Sequence, residues 1–148
     1  MYISDELQKD KEIAIEAFKN GITDLKLFNI FDDKEFVLYA LKNKNLSLKY
    51  VSKDLLNDKE VVLESIKYDL KNFEFASFQV KNEREVIIKA IDNNKESTTF
   101  FSEFIKKYFD NDKEIILKMM KKYHYRFLPS VSKILKNDKE IVLEGIKN

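Results

Sequence analysis

A three-residue phrase, Asp-Lys-Glu or a close variant, recurs along the sequence. Its copies begin at Asp10, Asp33, Asp58, Glu83, Asp112 and Asp138. Successive copies begin 23, 25, 25, 29 and 26 residues apart, and three apolar residues directly follow each one. Self-similarity at a period of this length is the signature of repeat proteins, in which each unit buries its apolar face against its neighbours. The phrase therefore predicts a stack of repeats of roughly 25 residues each.

The phrase has the composition of a helix N-terminus. In five copies an Asx residue precedes it, and we predict that these residues are the helix N-caps: Asp32, Asn57, Asn82, Asn111 and Asn137. With Asn57 as the cap, Glu60 falls at the third helical position, where its carboxylate accepts a hydrogen bond from the cap's own N–H in a capping box. Lys9 occupies the cap position of the first copy, so the sequence predicts a less sharply defined start for that helix.

A second apolar segment separates successive phrases. These segments cover residues 25–31, 48–56, 73–80, 100–109 and 128–135. Ser47 and Asn72 lie where the N-caps of two such segments are expected, and the single proline, Pro129, falls in a first helical turn, where it is tolerated. Two glycines and one proline in 148 residues are too few for the tight turns of a β-rich fold. Each unit is therefore predicted to contain two helices.

Together these patterns predict an all-α fold. We expect a single domain over residues 1–148, folded as a short right-handed α-solenoid of about six helix-turn-helix repeats. A mostly small residue recurs seven residues after the start of each phrase: Ala17, Ala40, Ser65, Ala90, Met119 and Gly145. Small side chains at this place let neighbouring helices approach closely, and Met119 is the exception. Helices of about ten residues are too short to be stable alone in water, so their neighbours must stabilise them.

The segment from Leu46 to Leu63 reads Leu-Ser-Leu-Lys-Tyr-Val-Ser-Lys-Asp-Leu-Leu-Asn-Asp-Lys-Glu-Val-Val-Leu. It resembles a bacterial and protist helical repeat family catalogued as domain of unknown function 4116, and the similarity recurs over nearly the whole chain. The sequence departs from the family pattern because it lacks the usual glycine between the two segments of the repeat. The resemblance implies tandem helical repeats, and it transfers no catalytic residue and no cofactor.

The residue types needed for catalysis or metal binding are scarce. There is no cysteine, and His124 is the single histidine, so no zinc motif and no site with two histidines can be assembled. Carboxylate pairs such as Asp32 with Asp33, or Asp110 with Asp112, belong to the recurring phrase, so a role in folding is favoured over a catalytic or metal site. We therefore expect no catalytic residue, no metal and no cofactor. An enzyme with an unrecognised cleft is the last alternative.

The overall charge balance points to no particular partner. There are 27 basic and 26 acidic side chains, for a net charge of +1. Residues 1–74 carry 12 basic and 15 acidic side chains, and residues 75–148 carry 15 and 11. No segment has the ~20 apolar residues of a membrane span, and no signal peptide is recognisable. With no cysteine, the sequence predicts a cytoplasmic protein that has no membrane partner.

One stretch near the C-terminus is basic. No acid occurs between Glu114 and Asp138, and the basic residues of this stretch are Lys118, Lys121, Lys122, Arg126, Lys133 and Lys136. Tyr123, Tyr125 and Phe127 lie among them, as in sites that contact phosphates and stack bases. A polyanion site is therefore one hypothesis. The favoured interpretation is that these lysines are the solvated faces of two adjacent helices.

These observations rank three classes of function. A non-catalytic scaffold that binds a protein or peptide in a concave groove comes first, because a solenoid offers an extended surface. Nucleic-acid or polyanion binding through residues 118–136 comes second, and an enzyme comes third. Neither end of the sequence has a clearly polar capping repeat, so we expect either that the ends meet other chains, for example by self-association, or that the sequence is a piece of a longer array.

Overall fold

The structure is a computed structural model that describes residues 3–22, 24, 27–43, 46–93, 99–123, 127–129 and 131–147. Every regular element within these ranges is helical, and none of them contains a β-strand. The α-helices are α1 (Lys11–Lys19), α2 (Lys34–Lys42), α3 (Lys53–Leu56), α4 (Lys59–Ile66), α5 (Phe78–Lys81), α6 (Arg84–Asn93), α7 (Thr99–Tyr108), α8 (Lys113–Tyr123) and α9 (Lys139–Ile146). Shorter 3-10 helices cover Leu7–Lys9, Leu48–Tyr50, Leu70–Glu74 and Leu135–Asn137. The predicted all-α class is confirmed.

A helix begins at each phrase, but its N-cap lies one residue later than predicted. The predicted caps Asp32, Asn57, Asn111 and Asn137 are wrong, because Asp33, Asp58, Asp112 and Asp138 accept the capping hydrogen bonds. At the fourth phrase α6 begins at Arg84, so Glu83 and not the predicted Asn82 directly precedes the helix, and the Asn82 side chain donates to the Phe78 carbonyl. The Asp58 side chain accepts hydrogen bonds from the backbone N–H groups of Glu60 and Val61, at 3.0 and 3.1 Å. In the first copy, Asp10 accepts from Ile13 N–H at 3.0 Å, so α1 begins as sharply as the others.

The shift of the cap also removes the predicted capping box. With Asp58 as the cap, Glu60 occupies the second helical position instead of the third. Its carboxylate lies 2.8 Å from the Lys34 ammonium group of the preceding phrase. The sequence could not separate the two registers, because Asn and Asp are equally good N-caps and they lie side by side.

The second segments are less regular than the sequence predicted. Between Leu48–Tyr50 and α3, the backbone at Val51 and Ser52 is extended. The Ser52 N–H donates to the Phe31 carbonyl of the preceding unit at 3.0 Å, and Ser77 N–H donates to Leu56 in the same way at 2.9 Å. The segment that contains α7 has Lys106 at the position of these serines, and there the helix is continuous. These second segments are therefore interrupted at the residue whose backbone N–H bonds to the preceding unit.

The first helices of successive units pack side by side in chain order: α1 on α2, α2 on α4, α4 on α6, α6 on α8 and α8 on α9. If the first residue of each phrase is position 1, then positions 4 and 9 of the first helix provide much of the core. In α6 these are Val86 and Ile91, which are 0% and 1% exposed. The small position is 8, and a Cβ added to Gly145 would lie 2.5 Å from the Met120 side chain. A small residue therefore brings α9 close to α8, as the sequence predicted.

A polar clamp joins the second segments of two units. Asn72 is buried, and its Oδ1 accepts hydrogen bonds from the Ser47 hydroxyl at 2.9 Å and from Leu48 N–H at 3.0 Å. Asn72 and Ser47 were expected at helix N-caps. Ser47 is the N-cap residue of Leu48–Tyr50, as expected, although its side chain makes no capping hydrogen bond. The N-cap of Leu70–Glu74 is Asp69 and not Asn72. Beside the clamp, the Phe73 ring packs edge-on against Phe101, with centroids 5.0 Å apart.

Candidate functional site

A row of half-buried aliphatic side chains crosses the first helices at position 6. The row consists of Ile15, Leu38, Leu63, Ile88 and Leu117, and Leu143 continues it with 44% of its side chain exposed. The first five pack against the core and also reach solvent. Because every first helix contributes one such residue, the row follows the stacking direction. We call this surface the first-helix face.

The first-helix face contains a cleft between α4 and α6. This open cleft has a volume of about 600 Å³ and is lined by Lys59, Glu60, Leu63, Glu64, Lys67, Lys89 and Asn93. Leu63 is its apolar centre. The charged groups at the edge already have ion-pair partners. Lys67 bonds to the buried Glu64 within the lining, and Lys89 lies 2.8 Å from Glu85, which lies outside it. The cleft therefore offers an apolar contact within a polar border that carries little net charge.

The phrases themselves form a ladder of ion pairs between successive units. In each rung, the basic residue of one phrase contacts the two acidic residues of the next phrase. The rungs join Lys11 to Asp33 and Glu35, Lys34 to Asp58 and Glu60, Lys59 to Glu83 and Glu85, Arg84 to Asp112 and Glu114, and Lys113 to Asp138 and Glu140. In the second rung both distances from the Lys34 Nζ are 2.8 Å. We call these five rungs the charged ladder.

Within the charged ladder, the pKa values of Lys59, Glu85 and Asp112 are shifted in the direction expected for paired groups. Hydrogen bonds to Glu85 and then to Glu83 raise the pKa of Lys59 above its ordinary 10.5. Hydrogen bonds from Lys59 and Lys89 lower the pKa of Glu85 to about 2. Burial raises the pKa of Asp112, but the hydrogen bond from Arg84 and those from backbone N–H groups outweigh it, so the net shift is downward. These carboxylates therefore stay ionised in mildly acidic solution.

The Asx residues that precede the phrases have a different role from the predicted one. The Asn57 side chain accepts a hydrogen bond from the Ser77 hydroxyl at 2.6 Å, and Asn111 accepts from Ser132 at 3.2 Å. Each of these serines belongs to the following unit. Ser52 is equivalent to Ser77, and in the unit before it Asp32 takes the place of Asn57. The Ser52 hydroxyl is the one buried hydroxyl without a hydrogen bond among the described residues. The Asn residues therefore add links between units instead of capping the helix that follows them.

The basic residues proposed as a polyanion site point to different neighbours. Lys118 pairs with Asp92 at 2.7 Å, and Lys122 donates to the backbone carbonyls of Ile91 and Asp92 at the end of α6. Lys121 is exposed, and its charge helps to lower the pKa of Glu144 in α9, after the larger effect of the hydrogen bond from Lys147. Lys118 and Lys122 therefore face α6, whereas Lys121 faces α9.

Two further members of the basic stretch, Lys133 and Lys136, lie among the described residues. Lys136 donates to the Pro129 carbonyl at 3.1 Å, and Lys133 is exposed. Arg126 lies outside the described residues, as do His124 and Tyr125. The polyanion site stays a prediction, and its lysines are partly engaged in contacts within the fold.

The described residues hold no group of three or more His, Asp or Glu side chains arranged for a metal ion. Tyr123 is half-buried, and burial, followed by the nearby Asp92 charge, raises the pKa of its hydroxyl to about 12. Within the same part of the chain, no helix has both the length and the apolarity needed to cross a bilayer.

Sequence reasoning missed both surfaces that the stacking creates. It assigned the lysine of each phrase no role, although the period of the phrase contained the signal: a cation between two acids, repeated at one-unit spacing. Position 6 was recognised only as part of an apolar trio. Its partial exposure follows from the packing of neighbouring helices, which periodicity within one helix does not reveal.

The comparisons with known proteins agree with the repeat. The profile of the family described as "Domain of unknown function (DUF4116)" matches residues 33–81, 60–106 and 112–148. The first match begins at Asp33 and covers two phrases, and the second match overlaps it over residues 60–81. No curated protein and no solved structure matches the chain. Because the matches cover most of the sequence, the chain belongs to the DUF4116 family of repeat proteins.

Proposed function

We propose that the chain is a non-catalytic scaffold that binds a peptide segment of a partner protein across its first-helix face. In this proposal the units form a short α-solenoid of about six repeats, and the row at position 6 is the contact surface. The observation that carries the proposal is the row of half-buried aliphatic side chains with the cleft at Leu63. Partly exposed apolar side chains that recur on one face and border a cleft mark that face as a candidate binding surface.

The chemistry of the cleft defines the partner. Leu63 offers an apolar contact, and the surrounding charges largely neutralise one another through pairs such as Lys67 with Glu64. A strongly charged peptide gains little from such a border. The proposed ligand is therefore an amphipathic peptide with an aliphatic or aromatic anchor residue that reaches Leu63, and polar side chains that meet the paired charges.

A peptide-display selection against the immobilised chain, followed by calorimetric titration of the selected peptides, tests this proposal. Asn93→Arg places a large cation over the cleft from an exposed position, and Leu63→Glu removes the apolar contact. We expect each change to weaken binding by about tenfold or more, as loss of an anchor contact does. Asn93→Arg leaves the core intact, so its effect is separable from unfolding.

The matched control is Phe78→Ser. Phe78 is 61% exposed in α5, which belongs to the second segments and not to the first-helix face. Peptide affinity should be unchanged in this variant. Selection of no peptide, or of peptides whose affinity is insensitive to both cleft variants, would contradict the proposal.

A further inference from the structure

At each end of the charged ladder, a phrase has charged groups without an ion-pair partner among the described residues. On the outer side of α1, Asp10 and Glu12 are the two acids of a phrase, and neither makes an ion pair with any described residue. On the outer side of α9, the cation Lys139 is exposed and likewise has no ion pair within the described part of the chain. One outer face therefore offers two carboxylates, and the other offers the cation that fits between them.

In the same two helices, apolar side chains that are buried in the other units are exposed. Position 4 is buried in every first helix from α2 to α9, but Ile13 in α1 is 37% exposed. Position 9 is buried from α1 to α8, but Ile146 in α9 is 66% exposed, and the neighbouring Leu143 is 44% exposed. Position 4 therefore faces the preceding unit and position 9 the following unit. Each outer face retains half of the junction found between successive units.

We propose that a second copy of this chain docks head to tail, with its α1 on α9 of the first copy. The junction repeats the geometry that joins α8 to α9. Lys139 lies between Asp10 and Glu12 of the second copy, and Ile146 and Leu143 pack against its Ile13. Both the charge and the apolar pattern of the two faces are complementary, and the five rungs within the chain show the same arrangement already formed.

This contact is heterologous, because the two copies use different surfaces. Each added copy exposes a new α9 face, so the assembly grows as an open filament and not as a closed dimer. The proposed contact joins a single pair of helices, so we expect association to be weak and to depend on protein concentration. The proposal involves the outer faces of α1 and α9, and it does not rest on peptide binding at the cleft.

Two single variants provide the test, measured by sedimentation equilibrium over a wide concentration range. Ile13→Glu blocks only the α1 face, and Ile146→Glu blocks only the α9 face; both residues are already partly exposed, so the fold should tolerate the change. We expect the unmodified chain to form oligomers that dissociate on dilution and in high salt. Each variant alone should be a monomer. An equimolar mixture should form a 1:1 dimer, because one intact face of each kind remains.

The matched control is Ile134→Glu. Ile134 is 71% exposed, and its counterparts Asn29, Asp54 and Gln79 are exposed in units that have neighbours on both sides. This variant should associate like the unmodified chain. The proposal is overturned if the unmodified chain is monomeric at all concentrations, if Ile13→Glu alone still associates, or if the mixture of the two variants stays monomeric. Circular dichroism of each variant verifies that the helices are retained.

Discussion

The junctions inside the stack and the outer faces of α1 and α9 contain the same residue types in different surroundings. Ile91 and Ile146 occupy the same position of the repeat, yet Ile91 is 1% exposed and Ile146 is 66% exposed. Lys113 contacts two carboxylates, whereas Lys139 has no ion pair with a described residue. The repeat therefore specifies half of a junction on each side, and a neighbouring unit must supply the other half.

The length of the helices makes this dependence strong. The first helices have between 8 and 11 residues, and isolated helices of that length are marginal in water. Their stability must come from side chains buried against the next unit, as in other repeat proteins. Equivalent substitutions in the interior and on an outer face should therefore have very different effects.

The largest difference is expected at position 9. Ile91→Ala should lower the free energy of unfolding by about 2–5 kcal/mol, because it leaves a cavity between α6 and its neighbours. Ile146→Ala removes an exposed side chain and should cost about 0.5 kcal/mol or less. Urea denaturation followed by circular dichroism in dilute solution measures both values. Comparable losses would show that burial at position 9 does not depend on a following unit.

A smaller difference is expected at the helix starts. Asp58→Ala should cost about 1 kcal/mol, because Asp58 accepts from two backbone N–H groups as the N-cap. Asn57→Ala loses the bond from Ser77 and should cost less than Asp58→Ala. Asp10→Ala isolates the effect of the cap, because Asp10 accepts from Ile13 N–H but makes no ion pair with a described residue. The same denaturation assay ranks the three variants. A larger loss of unfolding free energy for Asn57→Ala than for Asp58→Ala would instead support Asn57 as the cap, as predicted from sequence.

Much of the fold could be predicted because its signals are local. The phrase at Asp58 marks a helix start, the apolar trio after it marks a buried face, and the scarcity of glycine and proline favours helices. The cap was misplaced by one residue because Asn57 and Asp58 have the same propensity. The break at Ser52 was missed because it depends on a hydrogen bond to Phe31 in the preceding unit.

The two surfaces were harder to predict because they depend on residues one unit apart. Lys34 reaches Glu60 across 26 positions of sequence, and only the stacking of α2 on α4 brings the two together. Leu63 reads as an ordinary core residue until the cleft between α4 and α6 is seen. The basic stretch shows the opposite error, since its residues are close in sequence but Lys118 and Lys121 face different helices.

The central claim is that the phrase links each unit to the next. A double-mutant cycle with Lys34→Glu and Glu60→Lys tests it most directly, with thermal unfolding midpoints recorded in dilute solution at low and high salt. Each single change should lower the midpoint slightly, and the double variant should recover part of the sum. High salt should weaken this coupling, because the pair is partly exposed.

The matching cycle uses Glu12→Lys and Lys139→Glu on the two outer faces. Glu12 is equivalent to Glu60 in the repeat, and Lys139 is equivalent to Lys34. Within one monomer these two residues do not form an ion pair with each other. The changes that they cause in the unfolding midpoint should therefore add. Salt-sensitive coupling at Lys34 and Glu60 together with additivity at Glu12 and Lys139 is the result that the charged ladder predicts. Additivity in both cycles would contradict it.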